Sequence, residues 1–171
     1  NIWRCLMKIV LILILIFMCG AIGYGLSGVY KQKKKFYDSY LIFLQDLLSD
    51  IGFSASKLSC IIQEEKNILS NKDFNTLLEN YQKIIKGNDE LTKENLFKNL
   101  KLLNEQEQND IYLFFKTLGK TDVFNQVESI KNKCESTKKY CNKLTKECEK
   151  YCPLYTKLSI LIGLFLALII I

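Results

Sequence analysis

The chain has 171 residues, 49% of them hydrophobic, with one proline, no histidine and a formal net charge of +6. Six basic residues and no acid precede Phe36, whereas 18 basic and 18 acidic residues cancel from there on, so the excess charge flanks an apolar segment and does not form a nucleic-acid footprint. Without a histidine base or a glycine-rich phosphate loop, the composition argues against an enzyme.

Ile9 to Tyr30 carries no charge and is rich in Ile and Leu, long enough to span a bilayer. Arg4 and Lys8 ahead of it could instead open a signal peptide, with a cleavage site among Gly20, Ala21, Gly23, Gly25, Ser27 and Gly28. Lipoprotein processing at Cys19 fits poorly behind the bulky Phe17 and Met18, and the apolar run outlasts an ordinary signal core. A retained anchor over residues 1–30 is the better reading. Lys31, Lys33, Lys34 and Lys35 follow it, which by the positive-inside rule places residues 31–152 in the cytoplasm. Five cysteines between the apolar ends, an odd number, suit a reducing compartment.

The middle of the chain reads as successive helices. Leu44, Leu47, Leu48 and Ile51 recur at helical spacing, as do Phe74, Leu77, Leu78 and Tyr81, and Ile111, Phe114, Phe115 and Leu118. Leu58, Ile61 and Ile62 start a further helix, and Leu96, Phe97, Leu100 and Leu103 predict another. Gly52, Gly87 and Gly119 stand where helices end, and Asp73 and Thr121 where they begin. Glu64-Glu65 and Asp89-Glu90 read as solvated charge. No stretch alternates with period two, so no strand is predicted.

From Thr121 a last helix is expected to run to the chain end, kinked or split only at Pro153. Its water-exposed part would rise about 45 Å from the bilayer. Cys134, Cys141, Cys148 and Cys152 share one face of it, strung over about 27 Å, so they cannot surround one zinc ion. They continue a heptad stripe with Val127, Ile130, Thr137 and Leu144, where a reduced cysteine acts as a small hydrophobe. Eight lysines against three acids between Lys131 and Lys157 read as a solvated face that could touch lipid head groups. Residues 153–171 form a second span once Lys157 snorkels. Ser159, Gly163 and Ala167 repeat every four residues, and Ala21 with Gly25 has the same spacing, predicting close helix packing within a chain or in a homo-oligomer. The fold class is therefore all-α: a small bundle of about six helices between two transmembrane helices, with no metal and no cofactor.

FFKTLGKTDVFNQVESI, residues 114–130, resembles the L-G-x-x-D-x-x-x-Q signature of the stage III sporulation protein AB family of spore-forming Firmicutes, matching at Leu118, Gly119, Asp122, Gln126 and Ile130. DIGFSASKL, residues 50–58, resembles that family's E-I-x-Y-x-x-T-P-L at Asp50, Ile51, Phe53, Ser56 and Leu58, with Lys57 in place of the proline. Locally, Gly119 can take positive φ to end one helix, Thr121 or Asp122 can cap the next, and Gln126 can hold helices together or face a partner. The resemblance implies a relative of the cytoplasmic domains of the platform protein F of type II secretion and type IV pilus systems. It implies a place in the channel-like complex between mother cell and forespore, in the mother-cell-side membrane. The implied partners are the sporulation ATPase, stage III sporulation protein AA, and other proteins of that complex. The implied role is to couple motor to membrane without catalysis. Outside the resemblance, a coiled-coil scaffold, or a membrane-tethered thiol or metal sensor, would use the same cysteine stripe.

Overall fold

The computed structural model describes residues 2–49, 71–87, 90–119 and 123–170. Five helices occur among them: α1 Ile2–Ser49, α2 Lys72–Gly87, α3 Lys93–Leu96, α4 Glu105–Thr117 and α5 Val123–Ile170. No strand occurs among the described residues, so the chain is all-α. The expected helix at Leu58, Ile61 and Ile62, with Gly52 and Thr121, lies outside the described residues.

The chain divides into two compact units, Lys35–Asn142, and Asn1–Lys34 with Lys143–Ile171. Helix α1 runs without a break through the lysine cluster that follows its apolar stretch. Lysine and glutamine are good helix formers, and no glycine or proline interrupts residues 29–49. Helix α5 likewise continues through Pro153, where a kink or a split was expected. Proline removes one hydrogen bond, to the carbonyl of Glu149, and both residues are exposed, so surrounding solvent can satisfy that carbonyl. The helix is not split there.

The unit Lys35–Asn142 is built round aromatic rings. Phe36, Tyr40, Phe43, Leu44 and Leu47 form one buried face of α1. Phe74 of α2 meets Phe36, Phe43 and Tyr40 at ring-centroid distances of 5.4, 5.7 and 5.8 Å. Phe115 of α4 stacks on Phe43 at 6.0 Å and meets Tyr81 edge-on at 4.6 Å. Each such ring contributes about 1.5 to 3 kcal/mol through burial, with edge-to-face geometry adding to it.

Helix starts in this unit follow side-chain chemistry closely. Asn71, not Asp73, caps α2: its Oδ1 accepts the Phe74 N–H at 2.9 Å. Asp73 sits in the first turn, where a carboxylate favours the positive end of the helix dipole. Helix α4 opens on a capping box in which Asn104 and Glu107 each accept the other's backbone N–H at 2.9 Å.

The helix expected over Leu96–Leu103 is a single turn, α3, followed by irregular chain. Leu96, Phe97, Leu100 and Leu103 are nevertheless all buried. Asn80 explains how the chain leaves the helix: its amide donates to the carbonyls of Leu96 and Lys98 at 3.1 and 2.9 Å. Asn99 then takes φ 65°, a left-handed conformation that asparagine tolerates.

In the unit Asn1–Lys34 with Lys143–Ile171, parts of α1 and α5 pack on each other. Both helices are long and apolar enough to cross a membrane. Leu13, Phe17, Ile22, Leu161, Phe165 and Leu168 point outward and exposed, as helices with an apolar surroundings require. Where the helices touch, the side chains are small. Tyr30 closes the contact, 5.9 Å from Tyr151 and 5.8 Å from Tyr155.

Candidate functional site

Gly119 ends the turn after α4 with φ +77°, in the left-handed region that favours glycine. Leu118 precedes it as the C-cap, its N–H donating to the Phe114 carbonyl at 3.1 Å. A side chain at Gly119 would meet no neighbour, so any penalty is conformational rather than steric. Gly119→Ala is expected to destabilise the unit by about 1 to 2 kcal/mol, read as a lower melting temperature of the full chain in detergent. An unchanged melt would show that the turn relaxes. Asp122 lies outside the described residues. Gln126 is half-buried on the first turns of α5.

Beside this turn, α4 and α5 border an open groove of about 610 Å³. Leu113 and Phe114 give it an apolar side, while Asn125, Ser129, Asn132 and Ser136 give it a polar one. Leu113 is 51% exposed, and Phe124, at the start of α5, is 78% exposed. Two charged contacts tie α4 to α5, the first of them within the groove wall. Lys133 pairs with Asp110 at 2.6 Å and also donates to its backbone carbonyl at 3.3 Å. Tyr140 donates its hydroxyl to Glu107 Oε1 at 2.6 Å. The groove is thus lined by amides, hydroxyls and the charged Asp110, Glu128 and Lys133, with Leu113 as its large exposed hydrophobe and Phe124 exposed just outside it.

The polar wall was readable in the sequence and was missed. Asn125, Ser129, Asn132 and Ser136 recur at four-three-four spacing, one step round α5 from the cysteine stripe.

The stripe itself is mostly a packing seam. Ile130, Thr137, Cys141, Leu144 and Cys152 are buried, and Cys134 and Cys148 are half-buried. Burial pushes the Cys134 thiol up from its ordinary range. Burial does the same to Cys148, helped by its neighbour Cys152 and opposed by Lys34. A reactive thiol needs the opposite shift. Among the described residues no three metal-ligating side chains converge.

The small-residue positions are distributed unevenly. Ser159 lies against Gly23, and Gly163 against Cys19, whose Cβ is 3.1 Å from where a Cβ on the glycine would be. Ala167 is buried. Ala21 and Gly25 are exposed on α1, away from this contact, and a Cβ on Gly25 would touch nothing. The α1 residues in the contact include Ile16, Cys19, Gly23 and Ser27, and the Ser27 carbonyl accepts from the Cys152 thiol at 3.5 Å. Hydroxyls on α5 are satisfied along their own helix: Ser159 donates to the Thr156 carbonyl and Thr156 to that of Cys152, both at 3.0 Å.

The model of the family described as stage III sporulation protein AB matches residues 8–171. The chain matches no curated protein and no solved structure. Nearly the whole length is covered, from the first apolar helix through the aromatic unit to the last turns of α5. The chain therefore belongs to the stage III sporulation protein AB family, and its role is in sporulation.

Proposed function

We propose that the protein is a non-catalytic platform of the channel-like complex between mother cell and forespore, coupling a cytoplasmic ATPase to the membrane assembly. The sporulation ATPase, stage III sporulation protein AA, is the partner, with the unit Lys35–Asn142 on the cytoplasmic side. The groove between α4 and α5 carries this reading. It lies between the two helices that flank Gly119 of the family signature and presents Leu113, while the exposed Phe124 stands next in sequence to its lining residue Asn125. A motor needs a membrane-fixed surface to act on, and exposed aromatic anchors are the usual centre of such an interface. The raised thiols of Cys134 and Cys148 weigh against a thiol sensor on the same helix.

Full-length chain in detergent, titrated with the ATPase, tests the reading. Binding at micromolar concentration is expected, and Phe124→Glu should weaken it about thirtyfold, corresponding to a hot spot of about 2 kcal/mol. Phe124 is exposed, so the variant should keep wild-type helicity and melting. If the ATPase fails to bind the wild-type chain, the motor-coupling role falls and a coiled-coil scaffold takes its place.

A further inference from the structure

Within the unit Asn1–Lys34 with Lys143–Ile171, basic residues gather on both helices, Lys31 to Lys34 lying level with Lys146 and Lys150, and Lys157 following about 10 Å further along α5. Helix α1 supplies Lys31, Lys33 and Lys34, and α5 supplies Lys143, Lys146, Lys150 and Lys157. Only Glu147 and Glu149 oppose them over the same stretches, and Glu147 is matched by Lys143 at 3.8 Å. Tyrosines lie among these lysines, Tyr24 exposed and Tyr30, Tyr151 and Tyr155 half-buried. Tyr30 packs on Tyr151 and Tyr155 from the other helix, the Lys150 ammonium lies 5.3 Å from the Tyr151 ring centroid, and that of Lys31 lies 5.8 Å from Tyr24. Immediately beyond Lys31 and Lys150 the surface becomes apolar and outward-facing, with Leu26 and Val29 on α1 and Leu154 and Leu158 on α5, and Lys157 stands among them.

We infer that this two-helix collar of lysines and tyrosines binds the phosphate head groups of anionic phospholipids. Ammonium groups and phenol hydroxyls donate to phosphate oxygens, and tyrosines favour the head-group level of a bilayer. A phospholipid also places its acyl chains against the apolar surface that adjoins the lysines, and that continuity assigns the site to lipid. The net excess of positive charge excludes a preference for zwitterionic head groups, which bring no charge to neutralise.

The test uses full-length chain in vesicles, with spin-labelled phosphatidylglycerol or phosphatidylcholine as the probe for the lipid shell. Wild-type chain is expected to prefer the anionic probe, with the preference falling as salt screens it. Replacing four exposed lysines together (Lys31→Gln, Lys146→Gln, Lys150→Gln and Lys157→Gln) should lower that preference at least ~tenfold, since each lysine near the surface contributes up to about fivefold. The same four positions changed to arginine should retain it. Lys138→Gln with Lys139→Gln, on α5 in the other unit, should leave it unchanged. Circular dichroism of each variant must match wild type, which exposure at all four positions makes the expected result. No anionic preference in the wild type, or an equal preference in the glutamine variant, would overturn the inference. So would displacement of the probe by millimolar inorganic phosphate, which would identify a small-anion site instead.

Discussion

Replacing Gly23 by leucine will separate α1 from α5 where they pack in the membrane-spanning unit. A Cβ at Gly23 would overlap the Ser159 hydroxyl, lie 2.7 Å from the Ser159 Cβ and 2.9 Å from the Tyr155 backbone carbonyl. The hydroxyl can rotate away; the carbonyl can move only with its helix. Overpacking of this kind costs about 1 to 3 kcal/mol. Close backbone approach is the main source of attraction between helices in lipid, so the cost falls on the association itself. A disulfide can report it. The Cβ of Gly163→Cys would start 3.1 Å from the Cβ of Cys19, a few tenths of an ångström inside the usual disulfide range, so a slight opening allows the bond. In a chain whose other cysteines are alanine, Gly163→Cys should cross-link to Cys19 under mild oxidation. Adding Gly23→Leu should slow that reaction about tenfold or more. Gly25→Leu is the control, since a side chain there meets nothing and should leave the rate unchanged. Equal rates in both double variants would show that Gly23 is not at the contact. A cross-linked dimer in place of a cross-linked monomer would assign the contact to two copies of the chain.

The pair Gly23 and Gly25 shows where sequence reading stops. Ala21 and Gly25 have the four-residue spacing of a packing motif, and so do Cys19, Gly23 and Ser27. Spacing gives periodicity but not phase: both sets are stripes on one helix, and only the partner helix selects between them. Ser159 and Gly163 select the second. On α5 the phase could be read, because a long stripe of Ile130, Thr137, Cys141 and Leu144 leads into Cys152 and on to Gly163 and Ala167, all buried.

Helices in the aromatic unit were legible for a similar reason, since α2 and α4 carry strong apolar periodicity between polar faces. Leu96 to Leu103 misled because burial and helicity are separate properties. The periodic apolar residues are in the core, but Asn80 and Asn99 stabilise a chain that turns away from the helix. That depends on a side chain sixteen residues upstream of Leu96, which a local pattern does not contain. Gly119 was readable because glycine at a helix end has a single conformational meaning, and its φ of +77° is that meaning. The groove was less so: its polar wall is a visible period on α5, but the α4 residues that complete it come from a different segment.

Phe74→Ala should cost the aromatic unit about 3 to 5 kcal/mol, the usual range for removing a buried phenylalanine. Phe74 is fully buried and in ring contact with Phe36, Tyr40 and Phe43 of α1. Removing it leaves three rings facing a cavity, in a unit whose other large contacts, Phe43 on Phe115 and Tyr81 on Phe115, are linked through the same cluster. Whole domains are stable by only about 5 to 15 kcal/mol, so this one side chain carries a large fraction of the total. Near-ultraviolet circular dichroism of full-length chain in detergent, followed with temperature, should show the tyrosine signal collapsing more than ~12 °C earlier. Leu113→Ala, at an exposed position in the groove, should shift the melt by no more than about 0.5 kcal/mol. A small effect at Phe74 would mean that the rings are not packed as a unit. The comparison also separates two ways of losing the ATPase. A Phe74 variant would lose it by unfolding, with the tyrosine signal gone, whereas Phe124→Glu should lose it with that signal intact. Only the second result locates the docking surface at Phe124, beside the groove, because only there does binding fail while the aromatic core that shapes α4 and α5 remains in place.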